Sequence, residues 1–246
     1  MSTAAFPSRN SPKRPTTRAW RPGKIALRLA GRAGIATPSH ELLQVGGTAV
    51  PLSWRFDRAG AIRIPFLSAM AMTGSKDGEH GSYPEIVDAL PRHGAQAKTD
   101  AQALYRRVAF NVLISNVVDH LRNHGFLWLG KAGWSLSPVY DLNPVPTDLK
   151  ARVLTTNIDL NEGTCSLDLL VAASEYFGLG LAAARAIIKE VAIVTATWRE
   201  TAKGPAPGTR RSPAWPAPLS TTISSGRSRC DATFINRFDR AYATSF

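Results

Sequence analysis

Between Ala101 and Asn116 the chain reads AQALYRRVAFNVLISN, and its apolar residues come close to encircling the segment. Leu104, Val108 and Val112 recur every four residues, the spacing of one helix face; Phe110, Leu113, Ile114 and Val117 widen that stripe. A helix that is apolar almost all round has to be surrounded by other elements. Its N-terminus is expected at Thr99 or Asp100, either of which can cap it. The 246 residues, 44% of them hydrophobic, supply enough apolar material for such a core.

The flanking sequence predicts what surrounds it. Ile25, Leu27, Leu29 and Ala30 suggest a short amphipathic helix ending near Gly34. Residues 42–45 and 49–54 read as two strands about a Gly46-Gly47 turn, followed by a short extended piece at 62–65 and a short helix over 67–72. The spacing predicts a helix over 83–90, with Pro84 in its first turn, and short strands at 126–129 and 134–136. An extended piece over 154–158 follows, then a helix begun by Thr164 or Ser166, running to Tyr176 and closed by Gly178, and a long helix over 181–201. Helices around a small β portion define an α+β class.

The net charge of +12 is concentrated at the ends. Residues 1–24 carry six Lys/Arg and no acid, residues 200–246 carry seven against three acids, and the middle is nearly balanced. With the Pro/Ser/Thr content of the first segment and the Pro/Gly/Ser content of the last, this divides the chain into a disordered basic segment (1–24), a core (25–202) and a basic tail (203–246). Unpaired positive charge can attract nucleic acid or another acidic surface, but no DNA-binding motif accompanies it. No run of 18 apolar residues is present, so no membrane span is expected, and MSTAAFPSRNSPKRP lacks the apolar stretch of a secretory signal. Cys165 and Cys230, far apart, fit free thiols in the cytoplasm and have no zinc spacing.

The candidate chemistry follows the central helix, in SNVVDHLRNHGF (115–126). Phosphoryl transfer needs a carboxylate to orient the attacking hydroxyl, and an amide and a second carboxylate to hold Mg²⁺. Asn123, with Asp141 after the following strand pair, supplies oxygen donors of the kind Mg²⁺ takes. The alternatives are a turn-forming Asp141 that caps the Asn143 backbone, and an Asn123 that satisfies loop backbone. The kinase spacing D-x-x-x-x-N places the base five residues before Asn123, which is Val118. Asp119, one residue off, is either a replacement base, an exposed acid or a partner of Arg122. His120 either holds the loop by hydrogen bonds or shuttles a proton, and His124 reads as a solvated loop residue. Arg55 and Asp57 suit a local ion pair, and Trp128 and Trp134 suit packing across the hairpin.

RVAFNVLISNVVDHLRNHGFL followed by GWSLSPVYDLNPVP resembles the C-terminal core of HipA-type serine/threonine kinases, bacterial toxins of toxin–antitoxin pairs. The likeness extends from about Ile25 to Arg199 through WRFDR (54–58), IPFLSAM (64–70) and SYPEIVDAL (82–90). It implies a protein-kinase-like fold, mainly the helical C-terminal lobe with a remnant of the β-containing N-terminal lobe. It implies ATP and Mg²⁺ as ligands, a protein serine or threonine as acceptor, and residues Trp54 to Phe56 as a hinge beside the adenine. The implied partner is a small antitoxin with a helix-turn-helix DNA-binding domain, so contact with DNA would be indirect.

Three departures from the family pattern stand out. Laid on N-T-D-x-H-x-K/R-N, the chain matches at His120 and Asn123 and puts Val118 at the catalytic aspartate. FPSRN (6–10) resembles the segment after the ATP-binding lysine, which falls on Ala5; the Gly-rich phosphate loop would lie upstream of Met1. RAWRPGKIALRLA (18–30) resembles the helix bearing the lysine's partner glutamate, yet residues 1–40 contain no acid. The expectation is a truncated, catalytically impaired HipA-like kinase. The rival readings are a pseudokinase that docks an antitoxin-like partner without turnover, and a decaying gene product.

Overall fold

The computed structural model describes residues 20–45, 48–146 and 151–203. Ala5, the Gly46-Gly47 turn, most of the two basic ends and Cys230 lie outside them. The architecture is mixed α+β. Helix α1 (Trp20–Arg32) begins five residues before the apolar pattern does. Strands β1 (His40–Val45) and β2 (Thr48–Ser53) pair antiparallel with Leu43 opposite Val50. A two-residue ladder, β3 (Arg58–Ala59) with β4 (Ile62–Arg63), follows.

The segment expected as one helix over 67–72 divides instead into β5 (Phe66–Ser68) and α2 (Ala69–Thr73). Ser68 is the reason: its backbone is extended, and its hydroxyl accepts from the Ala71 N–H at 3.2 Å, capping a new helix. Helix α3 (Tyr83–His93) starts with a capping box in which Ser82 N–H donates to Glu85 at 2.6 Å and Glu85 N–H donates to Ser82 Oγ. Pro91 lies in its last turn and the helix runs on to His93.

Helix α4 (Ala97–Leu113) is the predicted central helix, begun four residues early from Gln96. Asp100, expected as a cap, lies inside it. Its carboxylate instead accepts from the Ser135 hydroxyl and the Leu136 N–H, both at 3.1 Å. These acceptors tie α4 to the sheet formed by β5, β6 (Gly125–Trp128) and β7 (Trp134–Leu136), ordered β5-β6-β7 and antiparallel throughout. Trp128 faces Trp134 in register, with ring centroids 5.1 Å apart. Residues 154–158 form no regular strand; Asn157 bridges to Ser82 alone.

Ser166 caps α5 (Leu167–Ala172), which tightens into a 3₁₀ turn to Phe177 before left-handed Gly178. The helix expected over 181–201 is divided in two, α6 (Leu181–Thr195) and α7 (Trp198–Lys203). The break falls at Ala196-Thr197, where the Thr197 hydroxyl donates back to the Val194 carbonyl at 2.7 Å. Among the described residues no helix is long and apolar enough to cross a membrane.

Leu104, Tyr105, Val108, Ala109, Phe110 and Val112 of α4 are fully buried. Helices α3, α5 and α6 pack around them. Tyr105 meets Phe177 edge-on at 5.1 Å and donates its hydroxyl to the Leu170 carbonyl. Leu104→Ala is expected to lower the unfolding free energy by roughly 2–5 kcal/mol, from lost burial plus a residual cavity. Urea denaturation followed by circular dichroism measures it.

Candidate functional site

The end of α4 is where the polar residues gather. Ser115 takes a left-handed backbone (φ 54°) that turns the chain out of the helix. The following loop is pinned from the side: Thr155 and Thr156 donate their N–H groups to the carbonyls of Val117 and Asp119 at 3.1 and 3.0 Å. A 3₁₀ turn, Leu121–Asn123, then leads into β6.

Asp119 sits inside the protein, 2% exposed. Its Oδ2 accepts from the Tyr83 hydroxyl, from Asn111 Nδ2 at 2.7 Å and from His124 Nε2 at 2.9 Å. Burial alone would raise its carboxyl. Attraction to His124, the His124 and Tyr83 hydrogen bonds and the Arg107 guanidinium outweigh burial and hold it below the usual carboxylate range. Burial and the Asp119 charge push the Tyr83 phenol well above its ordinary value, so it stays a donor. Burial draws the Arg107 guanidinium down to about 10. The carboxylate considered as a stand-in base thus takes its three donors on Oδ2, all from buried side chains. Arg122, its alternative partner, pairs with Asp77 at 2.7 Å. His124, expected to be solvated, is fully buried against the Tyr83 ring.

Val118 is half-buried against the core. Its carbonyl accepts from Asn123 Nδ2 at 3.1 Å. That bond uses one N–H of the amide and turns the nitrogen toward Val118, with Oδ1 on the opposite side of the amide. His120 holds the turn through its backbone carbonyl, which accepts from Asn123 N–H at 2.7 Å; its ring Nδ1 is buried with no hydrogen-bond partner among the described residues.

Asp141 follows β7 on an exposed loop, again left-handed (φ 54°). Its Oδ1 accepts from Asn143 Nδ2 at 2.7 Å, a bond to the side chain, whereas the Asn143 backbone N–H expected as its partner goes to Asn116; Oδ2 takes no hydrogen bond from the described residues. One contact joins this loop to the Asn123 turn: the Tyr140 hydroxyl donates to the Arg122 carbonyl at 2.5 Å, one residue before each expected oxygen donor. Burial pushes that phenol up to about 12, keeping it protonated.

Tyr140 also anchors an aromatic cluster, with Phe56 at 5.8 Å and Phe66 at 6.2 Å between ring centroids. Phe56 is thereby brought beside the Asp141 loop. Trp54 is 54% exposed, and its N–H is already donated to the Ser39 carbonyl at 2.9 Å. Helix α1 backs the same loop: a Cβ at Gly23 would lie 3.2 Å from the Leu142 carbonyl oxygen, and Val139 N–H donates to the Ala36 carbonyl. The Arg55–Asp57 ion pair forms at 2.6 Å and Arg58 joins it at the same distance.

Sequence reasoning gave no role to Tyr140, Tyr83, Asn111 or Asn116, and named Asn143 only for its backbone. The available signal was Asn111 itself, an amide within an otherwise apolar stretch of helix.

The set of two oxygen donors on neighbouring loops suits a hard cation that completes its shell with phosphate and water. A helical core with a polar loop after its central helix and a short hairpin beyond it is the mixed α+β frame that carries these groups. The chain belongs to the HipA-like C-terminal domain family, whose model matches residues 23–198. Its fold is similar to that of HipA from Shewanella oneidensis MR-1, solved in complex with HipB and operator DNA (17% identity, TM-score 0.61). The match covers 90% of this chain and 54% of that one, so the chain spans about half of that HipA. A match is also found with the proinflammatory kinase CtkA of Helicobacter pylori (14% identity, TM-score 0.49, 78% of this chain and 84% of that one). No curated protein matches the chain significantly.

Two outcomes follow from the buried and half-buried charges. Asp119→Ala should destabilise the fold by about 3–5 kcal/mol, because it strands the donors around it. Tyr83→Phe, which removes one donor, should cost only about 1–3 kcal/mol; urea melts separate the two. Asp57 is held at about 2, chiefly by its hydrogen bonds from Arg55. Between that value and the ordinary carboxylate value of about 4 the unfolded chain binds more protons than the folded one. The Asp57 contribution is therefore complete above about pH 4 and is lost as pH falls through about 2, which carboxyl NMR titration would follow.

Proposed function

We propose that this chain is a HipA-type, kinase-fold nucleotide-binding protein in which Asn123 and Asp141 hold Mg²⁺ against ATP and transfer to a protein serine or threonine is slow or lost. The observation that carries this reading is the Tyr140–Arg122 hydrogen bond, which draws the Asn123 turn and the Asp141 loop together. Support also comes from the Asn123 amide, whose nitrogen is directed at the Val118 carbonyl so that its oxygen is the group offered to a cation. Phe56, Phe66 and Tyr140 offer apolar faces of the kind a nucleobase packs against.

When bound, Mg²⁺ neutralises charge on the phosphates. The chain's own contribution is to orient the two oxygens and to shield one side of the site with aromatic rings. At the position where an acceptor hydroxyl would be steered, Val118 offers only methyl groups. Losing such a base typically costs ~10²–10⁴-fold in rate. Asp119 does not compensate, being committed to Tyr83, Asn111 and His124. Cytoplasmic residence and a helix-turn-helix antitoxin-like partner belong to the same proposal, the partner by analogy with the HipB-bound HipA of Shewanella oneidensis. A docking role without turnover is the second reading, favoured by a packed core that survives beside the replaced base.

Calorimetry of ATP binding with and without Mg²⁺ tests the site. Mg²⁺ should tighten binding, and Asn123→Ala or Asp141→Ala should abolish that gain; nucleotide binding indifferent to Mg²⁺ in the unaltered chain sinks the proposal. In a radiolabelled phosphorylation assay, Val118→Asp should raise turnover by about 10²-fold or more over the natural chain. Robust turnover by the natural chain would overturn the impairment.

A further inference from the structure

We infer that Asn116 is a positioning residue for Asp141, acting through Asn143 along a chain of amides whose direction is set by the buried Asp119. The inference rests on the reading of Asp141 as a cation ligand and adds to it how that ligand is held.

The direction follows from donor and acceptor counting. An ionised carboxylate only accepts. Asn111 must therefore turn its NH₂ toward Asp119, where it donates to Oδ2 at 2.7 Å. Its own carbonyl oxygen then faces away and needs a donor, which Asn116 Nδ2 supplies at 3.1 Å. That in turn aims Asn116 Oδ1 at the loop, where it accepts from the Asn143 backbone N–H at 3.0 Å. With its backbone fixed, Asn143 donates Nδ2 to Asp141, to Oδ1 at 2.7 Å and to the carbonyl at 3.2 Å. The first three links all donate toward the core, and Asn143 is where the sense turns: its backbone N–H donates inward to Asn116 and its Nδ2 donates outward to Asp141.

Two costs make this series more than a packing detail. Asn111 and Asn116 are each only 1% exposed, and burying amides is unfavourable unless their hydrogen bonds are made. Asp141 holds a left-handed backbone that non-glycine residues seldom adopt, and such a conformation persists only where surrounding contacts over-determine it. The series satisfies both amides and supplies those contacts. It occupies Asp141 Oδ1 and leaves Oδ2 for a cation, although Asn116 itself touches neither cation nor nucleotide.

The test titrates the full chain with ADP, with and without Mg²⁺, in the natural form and as Asn116→Ala, Asn143→Ala, Asp141→Ala and the double variant Asn116→Ala/Asp141→Ala. Outer-shell partners of metal ligands typically contribute 10–100-fold in affinity. Asn116→Ala should therefore weaken the Mg²⁺-dependent part of binding by ~10–100-fold while Mg²⁺-free affinity stays within about twofold. In the Asp141→Ala background it should change nothing further. Asn143→Ala, at an exposed position that folding tolerates, should reproduce the loss. Hydrogen exchange at the Asn143 amide reads the link without ligand: it should be protected in the natural chain and exposed in Asn116→Ala.

An unprotected Asn143 amide in the natural chain overturns the inference, as does a folded Asn116→Ala whose Mg²⁺ response is unchanged. A protected amide in a chain whose nucleotide binding ignores Mg²⁺ instead overturns the metal reading, and with it the claim that the link serves a ligand.

Discussion

A single buried carboxylate joins the parts of this protein that matter for its site. Asp119 receives donors from α3 (Tyr83), from α4 (Asn111) and from the residue entering β6 (His124). An isolated charge at that depth would be prohibitive, costing several kcal/mol even after relaxation. It is tolerated because three donors and the nearby positive charge of Arg107, itself ionised at neutral pH, balance it. The loop after the central helix is thus fixed at its middle by an interaction that cannot be partly made. Asn123 and its turn inherit that fixity, since they lie between Asp119 and His124.

How much of this the sequence disclosed depends on the distance over which each contact acts. Helix α4 was legible because burial on all sides leaves a local periodic trace, from Leu104 to Val112. The placing of Val118 was equally local, a matter of counting five residues back from Asn123. The role of Asp119 was not legible. Its partner Tyr83 lies 36 residues away, and no spacing rule predicts that meeting. His124 failed for the same reason: a histidine in a polar run reads as solvated. It is the pairing of β5 with β6, with Ser68 opposite Gly125, that carries it inside. Element ends shifted where a side chain made an unforeseen local bond, as Ser68 does in starting α2 and Thr197 does between α6 and α7.

Tyr140 shows a third kind of blindness. Beside Pro138 and Val139 it looks like one more apolar residue of a strand end. Its hydroxyl finds the Arg122 carbonyl only because β6 and β7 fold back on one another and return the chain to the loop it left. The aromatic cluster with Phe56 and Phe66 depends on that same return. An expected pairing of Asn123 with Asp141 could be posed from sequence, but the contact that draws their segments together could not.

Val118 and Asp119 divide between them two tasks that sequence alone tends to merge. Asp119 is committed to the core, and replacing it threatens the fold. Val118 is half-buried against apolar neighbours, and its polar contact with Asn123 is made by its backbone carbonyl, which any residue would provide. A hydrocarbon at 118 therefore asks nothing polar of the fold. Stability and reactivity rest on adjacent residues with separate surroundings. On the function proposed above, a chain can therefore keep its helices and its buried charge with a hydrocarbon at the position of the base.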